Sequence, residues 1–419
     1  MKLRGLRWWI VVLLFGASVL NYVDRNSLSL LAPTIQNQLG FDDQAYARIQ
    51  NAFQIAYTVA LLASGFMVDK FGARFSLALF VAWWSLASFL TGWANSVFML
   101  GLCWFMLGLG EAGNWTASPK AVQAWFPARE RGFAMGIYTA GTPLGMTLAP
   151  FFVVGLAGVS GWRMVFWVTG ILGILWVIPW FWLYRPIKTH PMLGDQERSW
   201  IQPDPANVNA PAAGILAWTW MESLGRKEVW FLRLGRMLSD PVWFFYLNWY
   251  PKYLVSVRGL TQAQVKITWV MFLAAGIGSL FGGWFAGRLI RRGFGPERAR
   301  LFTMLGCVAV MPLSLLVTRV PTMEASLALA SVIVFAHLAW LANISALVVD
   351  IVPAPSLGKV FGLVAAGSSA GAIMMNGLVA NFLKQGSYSQ WFVIAAFLHV
   401  AAWLCLSPLL RREKAIVRT

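Results

Sequence analysis

The chain has 419 residues, of which 58% are hydrophobic and only 12% charged, with a formal net charge of +17. Soluble domains run at roughly 45–50% apolar and 25% charged residues, so this composition excludes a water-soluble globular protein. It also excludes a nucleic-acid binder, because apolar runs of bilayer length, roughly 18–20 residues, recur almost end to end and leave no solvated domain to carry a basic patch.

In chain order, hydropathy predicts spans over 8–31, 48–68, 75–93, 97–119, 133–156 and 162–184. The basic residues before the first run give it the look of a signal peptide, but no small-residue cleavage site follows and Asp24-Arg25 interrupts it, so an uncleaved first helix is expected. From 185 to 236 the chain turns polar and proline-rich, which predicts a linker holding one amphipathic helix near 216–224. A second set of spans follows over 239–255, 268–290, 301–317, 325–349, 360–383 and 391–409. The expected organisation is an all-α, twelve-helix membrane protein: an N-terminal half (1–184), a linker (185–236), a C-terminal half (237–410) and a tail (411–419).

Basic clusters fall in alternate loops, at Lys2 to Arg7, Lys70 to Arg74, Arg129 to Arg131, 185–236, Arg288 to Arg300 and Arg411 to Lys414. The loops at 33–47 and 92–97 hold none, so the basic side, with both termini, is expected to be cytoplasmic. Cys103, Cys307 and Cys405 lie in apolar runs without metal or disulfide spacing and read as reduced packing residues.

Two features mark internal repetition. Gly65-x-x-x-Asp69-Lys70-x-x-x-Arg74, after the second span, lines up with Gly283-x-x-x-Gly287-Arg288-x-x-x-Arg292 after the eighth. Two six-helix halves related by an axis along the membrane normal describe the major facilitator architecture. The stretch from Gly65 through Gly72 to Arg74 resembles that superfamily's signature between its second and third helices. The resemblance implies a cytoplasmic gate, weaker in the second copy, where Gly287 replaces the acid.

Asn21-Tyr22-Val23-Asp24-Arg25 places an acid and a base inside an apolar helix, which costs several kcal/mol unless they are paired or face water. Neighbouring side chains diverge by about 100°. Arg25 is therefore assigned to a central cavity, where its guanidinium suits a carboxylate, and Asp24 to an interhelical contact or a proton site. Glu111, in Gly110-Glu111-Ala112-Gly113-Asn114-Trp115, is the leading proton-coupling candidate, since a buried carboxyl can load and release a proton as access alternates. Trp115 with Asn114 and Trp340 with Asn343 are mid-span pairs of ring and amide that suit a sugar's C–H face and hydroxyls, and His337 is a further candidate.

Together the stretches at 21–25, 110–115, 125–131, 239–243, 249–254 and 336–343 resemble the anion:cation symporter family of the major facilitators, particularly its hexuronate and aldonate transporters. The resemblance implies that Tyr22, Arg25, Tyr57 and Trp340 line a sugar-acid site and that the positions of Asp24 and Glu111 handle protons. One departure stands out: relatives usually place an arginine seven residues before the fourth-helix glutamate, where this chain has Trp104. Either another base compensates, Arg25 among them, or the acids are more readily protonated. Tartrate or an aromatic carboxylate is the alternative cargo, and drug export is disfavoured by a cation in the cavity. No cofactor is expected, the proton gradient being the driving force, and a monomer suffices. An enzyme is not expected, because the three histidines, His190, His337 and His399, lack metal-ligand spacing and no nucleophile or acid–base constellation is visible.

Overall fold

A computed structural model describes residues 4–126, 128–201, 218–353 and 356–411. The described residues are helices joined by short turns, as expected where lipid offers backbone groups no partner and each N–H and C=O must be satisfied within its own segment.

The chain separates into two compact units, residues 1–41 with 52–213, and residues 42–51 with 214–419. The first unit contains α1 (Leu6–Leu39), most of α2 (Asp43–Thr91), α3 (Val97–Glu111), α4 (Asn114–Trp125), α5 (Ala128–Ser160) and α6 (Trp162–Leu183), followed by the short α7 (Asp195–Ile201). The second contains α8 (Trp220–Gly225), α9 (Lys227–Asn248), α10 (Tyr250–Ser256), α11 (Trp269–Arg291), α12 (Pro296–Val310), α13 (Met323–Ile351), α14 (Leu357–Lys384) and α15 (Ser389–Leu406).

Among the described residues, ten segments are long and apolar enough to cross a membrane. Two more helical segments complete the twelve: α2 before its break at Gly72, and α9 continued by α10. The second of these is the less apolar, carrying Arg233, Arg236 and Asp240.

α2 spans two membrane helices because the chain turns at a single residue: Gly72 has φ 76° and ψ 162°, a conformation open to glycine. α1 ends at Gly40 in the left-handed region, whose N–H donates to Gln36 O at 2.9 Å. At 34 residues α1 is about 51 Å long, well beyond the roughly 30 Å hydrocarbon layer, and it runs past Pro33 and past the expected end at 31.

Small residues bring matching helices together in the two units. A Cβ on Gly141 or Gly145 of α5 would lie 2.6 or 2.7 Å from the carbonyl oxygens of Phe15 or Val19 on α1. On α14, Gly367 and Gly371 approach Arg233 O and Met237 O of α9 in the same way, at 2.4 and 2.2 Å. Each pair is a four-residue glycine repeat on the fifth helix of a unit, set against the unit's first helix. The internal repetition thus extends to packing.

Between the halves, the amphipathic helix expected near 216–224 is the six-residue α8, started by a capping box in which Thr219 and Glu222 bond each other's backbone N–H. Residues 202–217 of the proline-rich stretch and the tail from 412 on lie outside the described residues. α9 begins at Lys227, so the last ten residues of the polar stretch 185–236 are already helix. α7 is anchored to α1: the Glu197 carboxylate accepts from the Leu6 and Arg7 N–H groups at 3.0 and 3.2 Å and from the Arg7 guanidinium at 3.0 Å. An acid is thereby placed on otherwise unsatisfied N–H groups at a helix start.

Candidate functional site

The first unit encloses a charged cluster around α1. Arg25 donates from Nε to Glu111 Oε2 at 2.8 Å, and its terminal nitrogen lies 2.7 Å from the same oxygen. Glu111 is fully buried and the Arg25 side chain is 13% exposed. Aromatic rings surround the guanidinium: its carbon lies 4.9 Å from the ring centroids of Tyr22 and of Tyr57 and 5.2 Å from that of Phe53. An arginine so placed keeps its charge, stabilised by the carboxylate and by the ring faces. Glu111 Oε1 is buried without a hydrogen-bond partner, which leaves the carboxyl an atom on which a proton can sit.

Asp24, one residue from Arg25, points elsewhere. Its Oδ1 accepts from Ser88 Oγ at 2.8 Å, and Ser88 is 2.9 Å from Thr169 Oγ1, so the acid joins α1 to α2 and α6. Adjacent positions on one helix therefore serve two separate contacts, as the 100° step demands. Arg25 is the base that Glu111 meets. Trp104, where relatives carry arginine, is buried among Phe53 and Phe166, each with ring centroids 6.2 Å away.

The residues expected to read a sugar divide. Tyr22 and Tyr57 stand on Arg25. Asn114 does not present its amide to a ligand: Nδ2 donates to Ser18 Oγ at 3.3 Å, Oδ1 accepts from Ser118 Oγ at 2.8 Å, and its carbonyl accepts from Tyr138 OH at 3.3 Å. Trp115 is half-buried, edge-on to Tyr138 at 6.0 Å.

In the second unit, Asn343 gives Nδ2 to Gly282 O at 3.0 Å and to Ala339 O at 2.9 Å, fastening α13 to α11. His337 and Trp340 are fully buried. His337 Nδ1 lies 3.0 Å from His399 Nε2, Trp243 lies parallel to the His337 ring at 6.2 Å, and Trp340 meets His399 edge-on at 5.1 Å. In this structure Asn114, Asn343 and His337 bond groups on neighbouring helices, while Asn343 Oδ1, His337 Nε2 and Trp340 Nε1 are buried without a hydrogen-bond partner.

Gly65 has open space around it and Gly72 makes the turn. Arg74 donates to Phe181 O at 3.0 Å and stands 5.4 Å from the Phe181 ring, while Lys70 lies 5.4 Å from that of Phe71. The side chains of Asp69 and of Arg129 to Arg131 lie outside the described residues. In the second unit, α12 and α13 are joined by an ion pair, Arg300 with Asp350.

Three polar groups escaped the sequence reading. Arg236 and Asp240 pair at 2.5 Å one turn apart on α9, with Ser239 on the second carboxylate oxygen at 3.1 Å. Asp240 is a mid-span acid with a base four residues before it, the signal that drew attention to Asp24. Lys252 pairs with Asp43, and Tyr46 OH donates to Asn248 O at 2.6 Å, so residues 42–51 are tied to α9 and α10. Nothing local in the sequence signals that partnership. Among the described residues no group of three or more His, Cys, Asp or Glu side chains could hold a metal ion.

Comparison with known proteins agrees with this architecture. The chain is 31% identical over 286 residues to a galacturonate transporter of Dickeya chrysanthemi, covering 68% of this chain and 82% of that one. It is 27% identical over 409 residues to a hexuronate transporter of Bacillus subtilis (strain 168), covering 96% and 94%. A crystal structure of a bacterial homologue of the human lysosomal transporter Spinster, inward-facing and occupied, superposes with a TM-score of 0.78 over 98% of both chains at 18% identity, a likeness of fold. Residues 14–342 match the Major Facilitator Superfamily. With that match over most of its length, and with twelve membrane-length helical segments in two units, this chain is a multi-pass membrane transporter that belongs to the Major Facilitator Superfamily.

Proposed function

We propose that this protein is a proton-coupled symporter that imports a sugar acid, a hexuronate or an aldonate, by alternating access across a bacterial cytoplasmic membrane, with both termini in the cytoplasm. The observation that carries the reading is the Arg25–Glu111 pair under the rings of Tyr22, Tyr57 and Phe53. A guanidinium held by one carboxylate is a site for another. When Glu111 takes a proton, its hold on Arg25 weakens and the substrate carboxylate forms the charge-assisted bonds in its place. When the substrate leaves, Arg25 draws Glu111 back to the ionised form and the proton departs. Arg25 is thus the anchor, Glu111 the coupling acid, Tyr22 and Tyr57 the nearest hydroxyl groups for a polyhydroxy chain, and Asp24 a second proton carrier. The relatives named as galacturonate and hexuronate transporters support the choice of cargo.

The test is uptake of radiolabelled glucuronate, galacturonate and galactonate into proteoliposomes, with an inward proton gradient and with the gradient collapsed by an uncoupler. Gradient-dependent accumulation of one of them by the wild type, lost in Arg25→Ala, is expected. Arg25→Ala transport at the normal rate would remove the carboxylate assignment. Uptake of tartrate in preference to all three would keep the anchor and change the cargo, because Arg25 answers to the carboxylate and not to the rest of the molecule.

A further inference from the structure

Glu111 is held by a cation and Asp24 is not. Asp24 is buried in the same apolar helix as Arg25, yet it forms no ion pair among the described residues, Arg25 having turned to Glu111. Its contacts are hydroxyl groups: Ser88 Oγ on α2 donates to Asp24 Oδ1 at 2.8 Å, and Thr169 Oγ1 on α6 lies 2.9 Å from Ser88 Oγ. Both hydroxyl residues are as deeply buried as the acid. Of the other charged groups, Glu111 on α3 feels the charge of Asp24. Arg74, Arg163 and Lys120, on helices that flank α1, turn to Phe181 O, to Gln38 and Ala94 O, and to Val68 O. From residue 134 on, α5 brings only Tyr138, which bonds Asn114 O.

The order of donors in this chain is fixed. A hydroxyl owns one hydrogen and an ionised carboxylate only accepts, so Ser88 gives its hydrogen to Asp24 and Thr169 gives its own to Ser88. The donors run from α6 through α2 to the acid, each bond polarising the next. This goes against the local default, since serine and threonine in a helix can turn their hydroxyls back on a carbonyl one turn earlier. Thr91 does so on Ala87 O and Ser27 on Val23 O, both at 2.8 Å. Ser88 spends its hydrogen on Asp24 instead, and Thr169 keeps only a long contact to Phe166 O at 3.4 Å. The other carboxylate oxygen, Oδ2, is buried with no hydrogen-bond partner, which leaves it as the atom that takes up a proton.

We propose that Ser88 and Thr169 are positioning residues for the proton step at Asp24. Their ordered hydroxyls hold the ionised carboxylate at Oδ1 and so set the pH at which Oδ2 takes a proton and gives it up. The inference rests on the proton role given to Asp24 in the transport scheme and adds what tunes it. Glu111 and Asp24 are then governed by different means. Glu111 answers to Arg25, for which the substrate carboxylate competes. Asp24 answers to hydroxyls on two other helices, so its proton affinity depends on how α1, α2 and α6 pack.

Infrared difference spectroscopy on the purified protein follows the protonated carboxyl of Asp24, identified as the band that Asp24→Asn removes, while pH is varied without substrate or gradient. A hydrogen bond to a charged group contributes more than one to a neutral group, so Ser88→Ala is expected to raise the midpoint of that band by about one pH unit. Thr169→Val, close to threonine in shape, is expected to move it the same way by less, and serves if Ser88→Ala does not fold. Thr169→Ser restores the hydroxyl and is expected to return the wild-type midpoint. A midpoint left unchanged by both Ser88→Ala and Thr169→Val overturns the proposal. So does a Thr169→Ser shift as large as that of Thr169→Val, which makes the effect one of packing. A wild-type band that does not respond to pH overturns the proton role of Asp24 together with its tuning, whereas one that titrates identically in every hydroxyl variant overturns the tuning alone.

Discussion

Replacing Glu111 with glutamine separates the two duties assigned to that side chain. The amide keeps the volume and one oxygen for Arg25 but cannot carry the charge or release a proton. In the wild type the substrate carboxylate has to displace a charge-assisted contact at 2.7–2.8 Å. Hydrogen bonds to charged groups contribute about 1.5–3 kcal/mol and neutral ones about 1 kcal/mol. Removing the competing charge therefore favours substrate by about 1.5 kcal/mol, roughly a tenfold tighter Kd at neutral pH. Breaking a buried ion pair costs about 3–5 kcal/mol of stability. The glutamine oxygen still accepts from Arg25 and the ring contacts are unchanged, so the variant is expected to fold with a lowered thermal midpoint. Binding is read by titration calorimetry, and coupling by proteoliposome uptake. Expected are tighter binding, counterflow exchange that persists without a proton gradient, and no accumulation above the external concentration when a gradient is imposed. A Glu111→Gln protein that concentrates substrate in response to the gradient as well as the wild type does would refute the reasoning.

Three further outcomes follow from the geometry. His190 is buried beside Trp125, its Nδ1 accepting from Met192 N–H at 3.1 Å and its Nε2 bonded to Leu183 O at 3.0 Å, and burial lowers its proton affinity from the ordinary pKa of 6.5. The unfolded chain then binds more protons than the folded one below about pH 6.5, so the stability this histidine contributes is present above that pH and lost as pH falls. The thermal-midpoint difference between wild type and His190→Ala should accordingly be larger at pH 7.5 than at pH 5.5. Gly278 meets backbone, since a Cβ there would sit 2.1 Å from Phe335 O, whereas one on Gly283 meets open space. Gly278→Ala is expected to cost several kcal/mol by forcing α11 from α13, overpacking at a site that cannot yield, and Gly283→Ala almost nothing, as read by yield of folded protein and thermal midpoint. Glu197→Ala removes the carboxylate from the first N–H groups of α1 and should lower stability by about 1 kcal/mol, measured by thermal unfolding.

How far the site could be read from the chain depended on whether a residue's role is set by its own helix or by another one. Asp24, Arg25 and Glu111 announced themselves because a charge within a long apolar run is costly anywhere in that run, whatever lies beside it. The same logic would have reached Arg236 and Asp240. The helix-to-helix bonds of Asn114, Asn343 and His337 were not legible, because an amide or imidazole in an apolar helix carries no mark of its partner. Their partners Ser18, Gly282 and His399 lie 96, 61 and 62 positions away.

The sequence by itself determined that this is a membrane protein of twelve helical segments in two repeated halves. Hydropathy, run length and the glycine-marked repeats are local properties, and lipid forces each apolar run into a helix independently of its neighbours. Only the tertiary structure decided that Arg25 answers Glu111 while Asp24 turns to Ser88 and Thr169. It alone showed that Asp43 belongs with Lys252 and that Tyr46 bonds the Asn248 carbonyl. The physical reason is that every one of these contacts joins different helices. Which side chains meet there depends on how each helix is rotated and how closely it approaches its neighbours, and that is settled by the packing of small residues on facing surfaces.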